Sequence, residues 1–266
     1  MTDERCRIGL VLSAGGLRGA AHLGVVRRLA AEGVSVDVMV GVSAGAVIAG
    51  YYAAVGLTID EMLADATVFK GRHLVAHSFA VRVPTWCRPL VNPFAGVIPS
   101  RLGQLEASRF DRLHHGVSAI GVVCHDLTHD CPRYLATGDD GGVRLYDAVA
   151  TSAAVPDMFA AQPIRYRGEV SEFTDGGVSD ALPVGFAEAA PLAATHIIAS
   201  DCRSRGEGLE DTERLIYLRP SLEDTRTLKA PKESLLKAVE AGEATVTDDV
   251  LARIRAWERA PEAAGR

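Results

Sequence analysis

The sequence predicts an α/β protein whose central sheet is mainly parallel, and three observations carry that expectation. First, the apolar runs Ile8 to Leu12 and Val36 to Val40 flank a helix-patterned stretch from Ala20 to Ala31, which makes a strand–helix–strand unit. Second, each strand runs into a glycine-containing turn and then a helix: Ser13 to Gly19 after the first, Gly41 to Gly45 after the second. Third, short apolar runs recur at 117–123, 195–200 and 215–218. The first unit should cross over right-handed. With 266 residues, 48% of them hydrophobic, the chain can bury one large core. It shows no repeat, linker or low-complexity block, so one domain over 1–266 is expected, with the helical stretch 232–259 included.

Charge and cysteines narrow the function classes. A net charge of −6 disfavours nucleic acid as a partner and permits a small or lipidic substrate. Cys6, Cys87, Cys124, Cys131 and Cys202 are odd in number and irregularly spaced, which reads as free thiols in a reducing compartment. The first residues carry both signs of charge, and the apolar run behind them ends at Gly15-Gly16, unlike a signal peptide. A cytoplasmic protein is expected.

The loop after the first strand has competing readings. Ala14-x-Gly16-x-x-Gly19 is a degenerate dinucleotide fingerprint that lacks its first glycine, and its acid would be Asp37, at the wrong end of the next strand. Alternatively, the amides of Gly15 and Gly16 form an oxyanion hole beside the neighbouring turn, or the loop is a tight turn with no ligand. The following helix has Leu23, Val25, Val26 and Leu29 on its apolar face, Arg27 and Arg28 on the wet one, and Gly33 at its end.

The chain is organised around Gly41-Val42-Ser43-Ala44-Gly45. A serine between two glycines, after a β-branched strand and before the apolar helix from Ala44 to Ala54, fits a nucleophile elbow. Glycines suit such a strained turn because a Cβ on either side crowds the backbone. Helix amides behind Ser43, that of Ala44 first, favour negative charge on an oxyanion. The competing readings are a buried turn in which Ser43 only caps the helix, and a membrane span over the uncharged stretch Val38 to Leu57. The glycines and the break in periodicity argue against a span.

Further on, Thr58 suits the N-cap of a helix from Ile59 to Phe69, with Asp60 and Glu61 in its first turn. The segment 71–99 holds four prolines with Phe79, Trp86 and Phe94, and reads either as a long connection or as a flap that touches lipid. Ser100 suits the cap of a short helix through Glu106. A strand at 117–123 leads through Leu127-Thr128-His129-Asp130 into a strand at 133–136. Cys124, His125, His129 and Cys131 suggest a metal site, but their spacing matches no common zinc pattern and a hairpin spreads them over two faces. A half-exposed hairpin with no metal is the expectation. A small-residue helix from Asp147 to Val155 stops at Pro156. Asp175-Gly176-Gly177 then puts an acid at the end of a short strand, followed by a sharp turn.

Taken together, the glycine loop at 14–19, Gly41 to Gly45 and Asp175-Gly176-Gly177 resemble the patatin-like phospholipase family, from Ile8 to about Gly242. Gly19-Ala20-Ala21-His22-Leu23-Gly24-Val25 and Ser152-Ala153-Ala154-Val155-Pro156 are similar to its bacterial members. The resemblance implies a three-layer α/β/α sandwich and cofactor-free hydrolysis of acyl esters in lipids. It implies Ser43 as nucleophile, Asp175 as general base, Gly15 and Gly16 as oxyanion donors, and Arg18 and Gly19 as the rest of that loop. Ala14 and Ala181 depart from the family pattern, which usually has glycine and asparagine there.

The residues themselves agree with a Ser–Asp pair. A serine hydroxyl needs a base, and a triad in α/β-hydrolase order needs a histidine after the acid. Only His196 follows Asp175, and it reads as lying within or just before a buried strand, not on a late loop. A carboxylate acting directly on Ser43 is simpler, helped by burial that raises its pKa and by the oxyanion amides. With what the resemblance implies, the leading expectation is a phospholipase A or lysophospholipase that makes transient contact with membrane surfaces. Acyl transfer, thioester cleavage, nucleotide binding and a binding or regulatory role are the alternatives.

Overall fold

A computed structural model describes residues 6–68, 97–222 and 232–259. Its strands are β1 (Ile8–Leu12), β2 (Val38–Val42), β3 (Ala119–Asp126), β4 (Cys131–Ala136), β5 (Gln162–Tyr166), β6 (Glu169–Asp175), β7 (His196–Ser200) and β8 (Leu215–Leu218). They form one sheet in the order β5-β6-β3-β2-β1-β7-β8, with β4 also paired to β3. The β3-β2-β1-β7-β8 neighbours are parallel, whereas β3–β4, β3–β6 and β5–β6 are antiparallel. The helices are α1 (Ala20–Ala31), α2 (Ala44–Ala49), α3 (Ile59–Val68), α4 (Val97–Glu106), α5 (Leu145–Ser152), α6 (Val184–Glu188), α7 (Lys232–Thr245) and α8 (Asp248–Arg259).

Both faces of the parallel strands are buried, which is why they read as continuous apolar runs. One face carries Leu10, Leu12, Met39, Ile120 and Val122 under α1, α2, α5 and α8. The other carries Val11, Val38, Val40, Val123 and Ile197 under a thin layer made by α6 and the segment to Ala194. The expected three-layer α/β sandwich is therefore present, with unequal outer layers. The C-terminal helices belong to it: a Cβ at Gly24 in α1 would strike the backbone of α7 at Val239, and one at Gly242 that of Ala21.

Several boundaries differ from the sequence reading. The helix after Ser43 stays α-helical only to Ala49, then winds as a π-helix over Gly50–Val55 and ends at Gly56 with φ 83°. Thr58 caps α3 as expected, and Glu61 reaches back to the Thr58 amide at 2.9 Å, closing a capping box. Helix α4 starts at Val97 and takes Pro99 into its first turn, where a missing N–H costs no helical bond. Helix α5 begins two residues before Asp147 and ends at Ser152. Strand β5 and helix α6 were not expected, and Trp86 and Phe94 lie outside the described residues.

The hairpin of β3 and β4 is present. Its organiser is Asp126, fully buried, which accepts from the amides of Thr128 and His129, from His129 Nδ1 and from the Arg133 guanidinium. Burial alone would raise the Asp126 pKa, but these donors together hold it below its ordinary value.

Candidate active site

Ser43 and Asp175 meet because two strands arrive head-on along one edge of β3. Strand β4 occupies one edge from Gly121 to Asp126. On the other edge β2 runs up to the pair Val42–Val123, and β6 runs down to the pair Cys124–Asp175. The residue just past the end of β2 is Ser43, and the last residue of β6 is Asp175. Parallel pairing on one half of an edge and antiparallel pairing on the other half bring the two residues to one point.

Ser43 has φ 55° and ψ −121°, a conformation an L-residue holds only when its surroundings enforce it. The neighbours do so. A Cβ at Gly41 would run into the carbonyl of Gly45, and one at Gly45 into that of Leu12, so neither position tolerates a side chain. The hydroxyl of Ser43 donates to Asp175 Oδ2 at 2.6 Å. Asp175 Oδ1 accepts from the Gly177 amide at 2.7 Å, which orients the carboxylate and leaves Oδ2 to the serine. Gly176 is needed too, because a Cβ there would strike the Val123 carbonyl. Ser43 and Asp175 are each 5% exposed. Burial raises the Asp175 pKa above its ordinary value, against the pull of its hydrogen bonds from Ser43 and Gly177.

The glycine loop lies alongside. Gly19 packs so closely on Ala44 that a Cβ there would fall 2.6 Å from the Ala44 methyl. Among the described residues, the amides of Gly15, Gly16 and Ala44 donate to no protein acceptor. Arg18 turns away from the serine. Its amide donates to the Gly15 carbonyl at 3.1 Å, and its guanidinium donates to the carbonyls of Cys202 (2.9 Å) and Leu222 (2.8 Å). It ties the loop to the segment after β7. The two departures from the family pattern touch each other: the Ala14 amide donates to the Ala181 carbonyl at 2.9 Å. The Ala14 methyl lies 3.1 Å from where a Cβ at Gly177 would be, so glycine at 177 leaves room for it.

No described histidine reaches the pair. His22 is fully buried, with Nε2 donating to the Ser13 carbonyl (3.0 Å) and Nδ1 accepting from Ser200 Oγ (2.8 Å), so it braces β1 to β7. His196 opens β7, level with Ile8. That puts it about 13 Å below the C-terminal edge of the sheet at ~3.3 Å per residue. His125 pairs with Thr174, one residue off the Cys124–Asp175 pair, so it points to the other face. Asp37 accepts from the Ile8 amide at the opposite edge, away from the glycine loop that a dinucleotide would need it near.

Burial lowers the His22 pKa to about 4, against its hydrogen bond to Ser13. The unfolded chain then binds a proton that the folded one refuses, so stability falls as pH drops from about 6.5 toward 4, by roughly 3 kcal/mol for this residue. Thermal melts across that range should show a shallower acid limb in His22→Asn than in wild type.

Sequence reasoning missed one contributor. Ser152, at the end of α5 and fully buried, accepts from the Ser43 amide at 2.9 Å and donates to the Val123 carbonyl at 2.6 Å. A pair of hydroxyl residues, Thr151-Ser152, closing a small-residue helix four positions ahead of Pro156 was the available signal.

The fold and site define a class: an α/β protein with a serine elbow and a carboxylate joined at the C-terminal edge of a mainly parallel sheet. A family model described as patatin-like phospholipase matches residues 10–188, and the chain belongs to that family. Over 46 residues it is 59% identical to patatin-like phospholipase domain-containing protein ZK370.4 of Caenorhabditis elegans, covering 17% of this chain and 3% of that protein. It is 52% identical to lysophospholipase NTE1 of Mycosarcoma maydis over 46 residues, 17% of this chain and 2% of that protein. The chain thus spans only a small part of the length of these curated relatives. The crystal structure of VipD from Legionella pneumophila shares the fold, with a TM-score of 0.55 at 14% identity, covering 96% of this chain and 67% of that one.

Proposed function

We propose that this protein hydrolyses acyl esters of lipids, of the phospholipase A or lysophospholipase type, through a Ser43–Asp175 dyad. The observation that carries the proposal is the 2.6 Å hydrogen bond from a strained elbow serine to a buried carboxylate. In the first step Ser43 Oγ attacks the ester carbonyl while its proton passes to Asp175 Oδ2. The amides of Gly15, Gly16 and Ala44 stabilise the resulting oxyanion. The ester C–O bond then breaks, the departing alkoxide takes the proton from Asp175, and an acyl-enzyme remains. Water attacks that intermediate with Asp175 as base, releasing the carboxylic acid and restoring Ser43.

Aspartate is a weak base, so a raised pKa and the oxyanion amides supply much of the rate. Ester substrates suit such a base better than amides because their leaving groups need less protonation. The free thiols of Cys6, Cys124, Cys131 and Cys202 fit a reducing, cytoplasmic setting with the substrate at a membrane surface. Among the described residues no helix is long and apolar enough to cross a membrane.

The test is a product assay on phospholipid and lysophospholipid vesicles, soluble short-chain esters and acyl thioesters. Fatty acid released from the lipids and absent with Ser43→Ala is the expected result. Turnover of thioesters alone, or transfer of the acyl group to an added alcohol in preference to water, would overturn hydrolysis of lipid esters.

A further inference from the structure

We infer that Ser152 is the positioning residue of the nucleophile elbow, and that its hydroxyl takes the place of a missing rung in the sheet. The inference rests on reading Ser43 as the nucleophile. Strand β2 stops pairing at Val42–Val123, and β6 resumes on the same edge at Cys124–Asp175. At the gap between them the Ser43 amide and the Val123 carbonyl do not bond directly. The Ser152 hydroxyl stands between them, 2.9 Å from Ser43 N as acceptor and 2.6 Å from Val123 O as donor. Both ends of the hydroxyl are used, and the residue has no solvent exposure. Water therefore cannot replace it without a cavity being opened.

Two consequences follow for the chemistry. The Ser43 amide is committed to Ser152, so oxyanion stabilisation falls to Ala44 and the glycine loop. The positive φ of Ser43 is also held through this bond, since relaxing φ swings the amide off the Ser152 oxygen. Without the hydroxyl, the backbone walls of the elbow remain, but the Ser43 amide loses its anchor and Ser43 Oγ is no longer held at 2.6 Å from Asp175. Displacement of a reacting group by about 1 Å costs on the order of a hundredfold in rate.

The experiment compares Ser152→Ala with Thr137→Val, both assayed well below their melting temperatures. Thr137 is a control at the far end of β3, where its hydroxyl donates to Phe110 O (2.7 Å) and accepts from Ile120 N (2.9 Å). Ser152→Ala should lower kcat about a hundredfold with KM changed by less than threefold, and slow fluorophosphonate labelling in parallel. Thr137→Val should lower the melting temperature and leave kcat within twofold. Ser152→Cys fills the site with a larger, weakly hydrogen-bonding thiol and should show the same kcat loss if the alanine variant does not fold. Wild-type kcat in a folded Ser152→Ala or Ser152→Cys protein, with Ser43→Ala inactive, would overturn the inference alone. Activity retained in Ser43→Ala would instead overturn the dyad on which it rests.

Discussion

Asp175→Asn is expected to lower kcat for ester hydrolysis by about three to four orders of magnitude while the protein stays folded. The amide is nearly isosteric: its oxygen can still accept from Gly177, and its nitrogen can face Ser43. It cannot take the serine proton, and that is the step the variant removes. Stability should move the other way. Because burial raises the Asp175 pKa, the folded protein holds this proton more tightly than the unfolded chain does. Ionising the residue therefore costs stability as pH rises through the raised pKa. Asp175→Asn removes that cost, so its melting temperature at pH 8 should equal or exceed that of wild type. The advantage should shrink as pH falls into the ordinary carboxyl range. The same shift places the acid limb of the wild-type kcat profile above the pKa of a free aspartate. Melts and rate profiles from pH 4 to 8 on both proteins check all three statements. A stable variant that keeps a tenth of the activity would remove Asp175 as the base.

Ser43→Ala is expected to lose at least about three orders of magnitude in ester hydrolysis and to form no acyl-enzyme. Its fold should persist for a specific reason. The bond to Ser152 uses the backbone amide of residue 43, and the walls of the elbow are the backbones of Leu12 and Gly45. None of these depends on the hydroxyl. The melting temperature should stay within a few degrees of wild type, and circular dichroism should be unchanged. Burst kinetics with a chromogenic ester would show a stoichiometric first turnover in wild type and none in the variant.

Much of this site was legible before any coordinates, because its main features have local causes. Steric crowding at Gly41 and Gly45 writes itself into the sequence as glycine, and parallel strands buried on both faces appear as runs such as Ile8 to Leu12. Asp175-Gly176-Gly177 was readable as a turn, but its approach to Ser43 depends on β6 taking the edge that β2 leaves. That is a register property, set by residues far apart in the chain. Ser152 was noticed only as part of a family-like stretch, and its role escaped for the same reason: its value lies in bridging Ser43 and Val123, not in its neighbours. Strand β5 was hidden by Pro163 and by alternating exposed positions, the pattern of an edge strand. Helix α6 is five residues long, too short for periodicity to register. Arg18 belonged by position to the oxyanion loop, yet its side chain is used on the carbonyls of Cys202 and Leu222. Asp126, not the neighbouring cysteines and histidines, turned out to organise the β3–β4 turn.

The most direct test of the dyad is peptide mapping by mass spectrometry after reaction with a fluorophosphonate, run on wild type, Ser43→Ala and Asp175→Asn. One adduct is expected, on the peptide containing Ser43, absent from Ser43→Ala and formed in Asp175→Asn at a rate reduced in step with its kcat. An adduct on any other residue, or labelling of Asp175→Asn at the wild-type rate, would contradict the dyad.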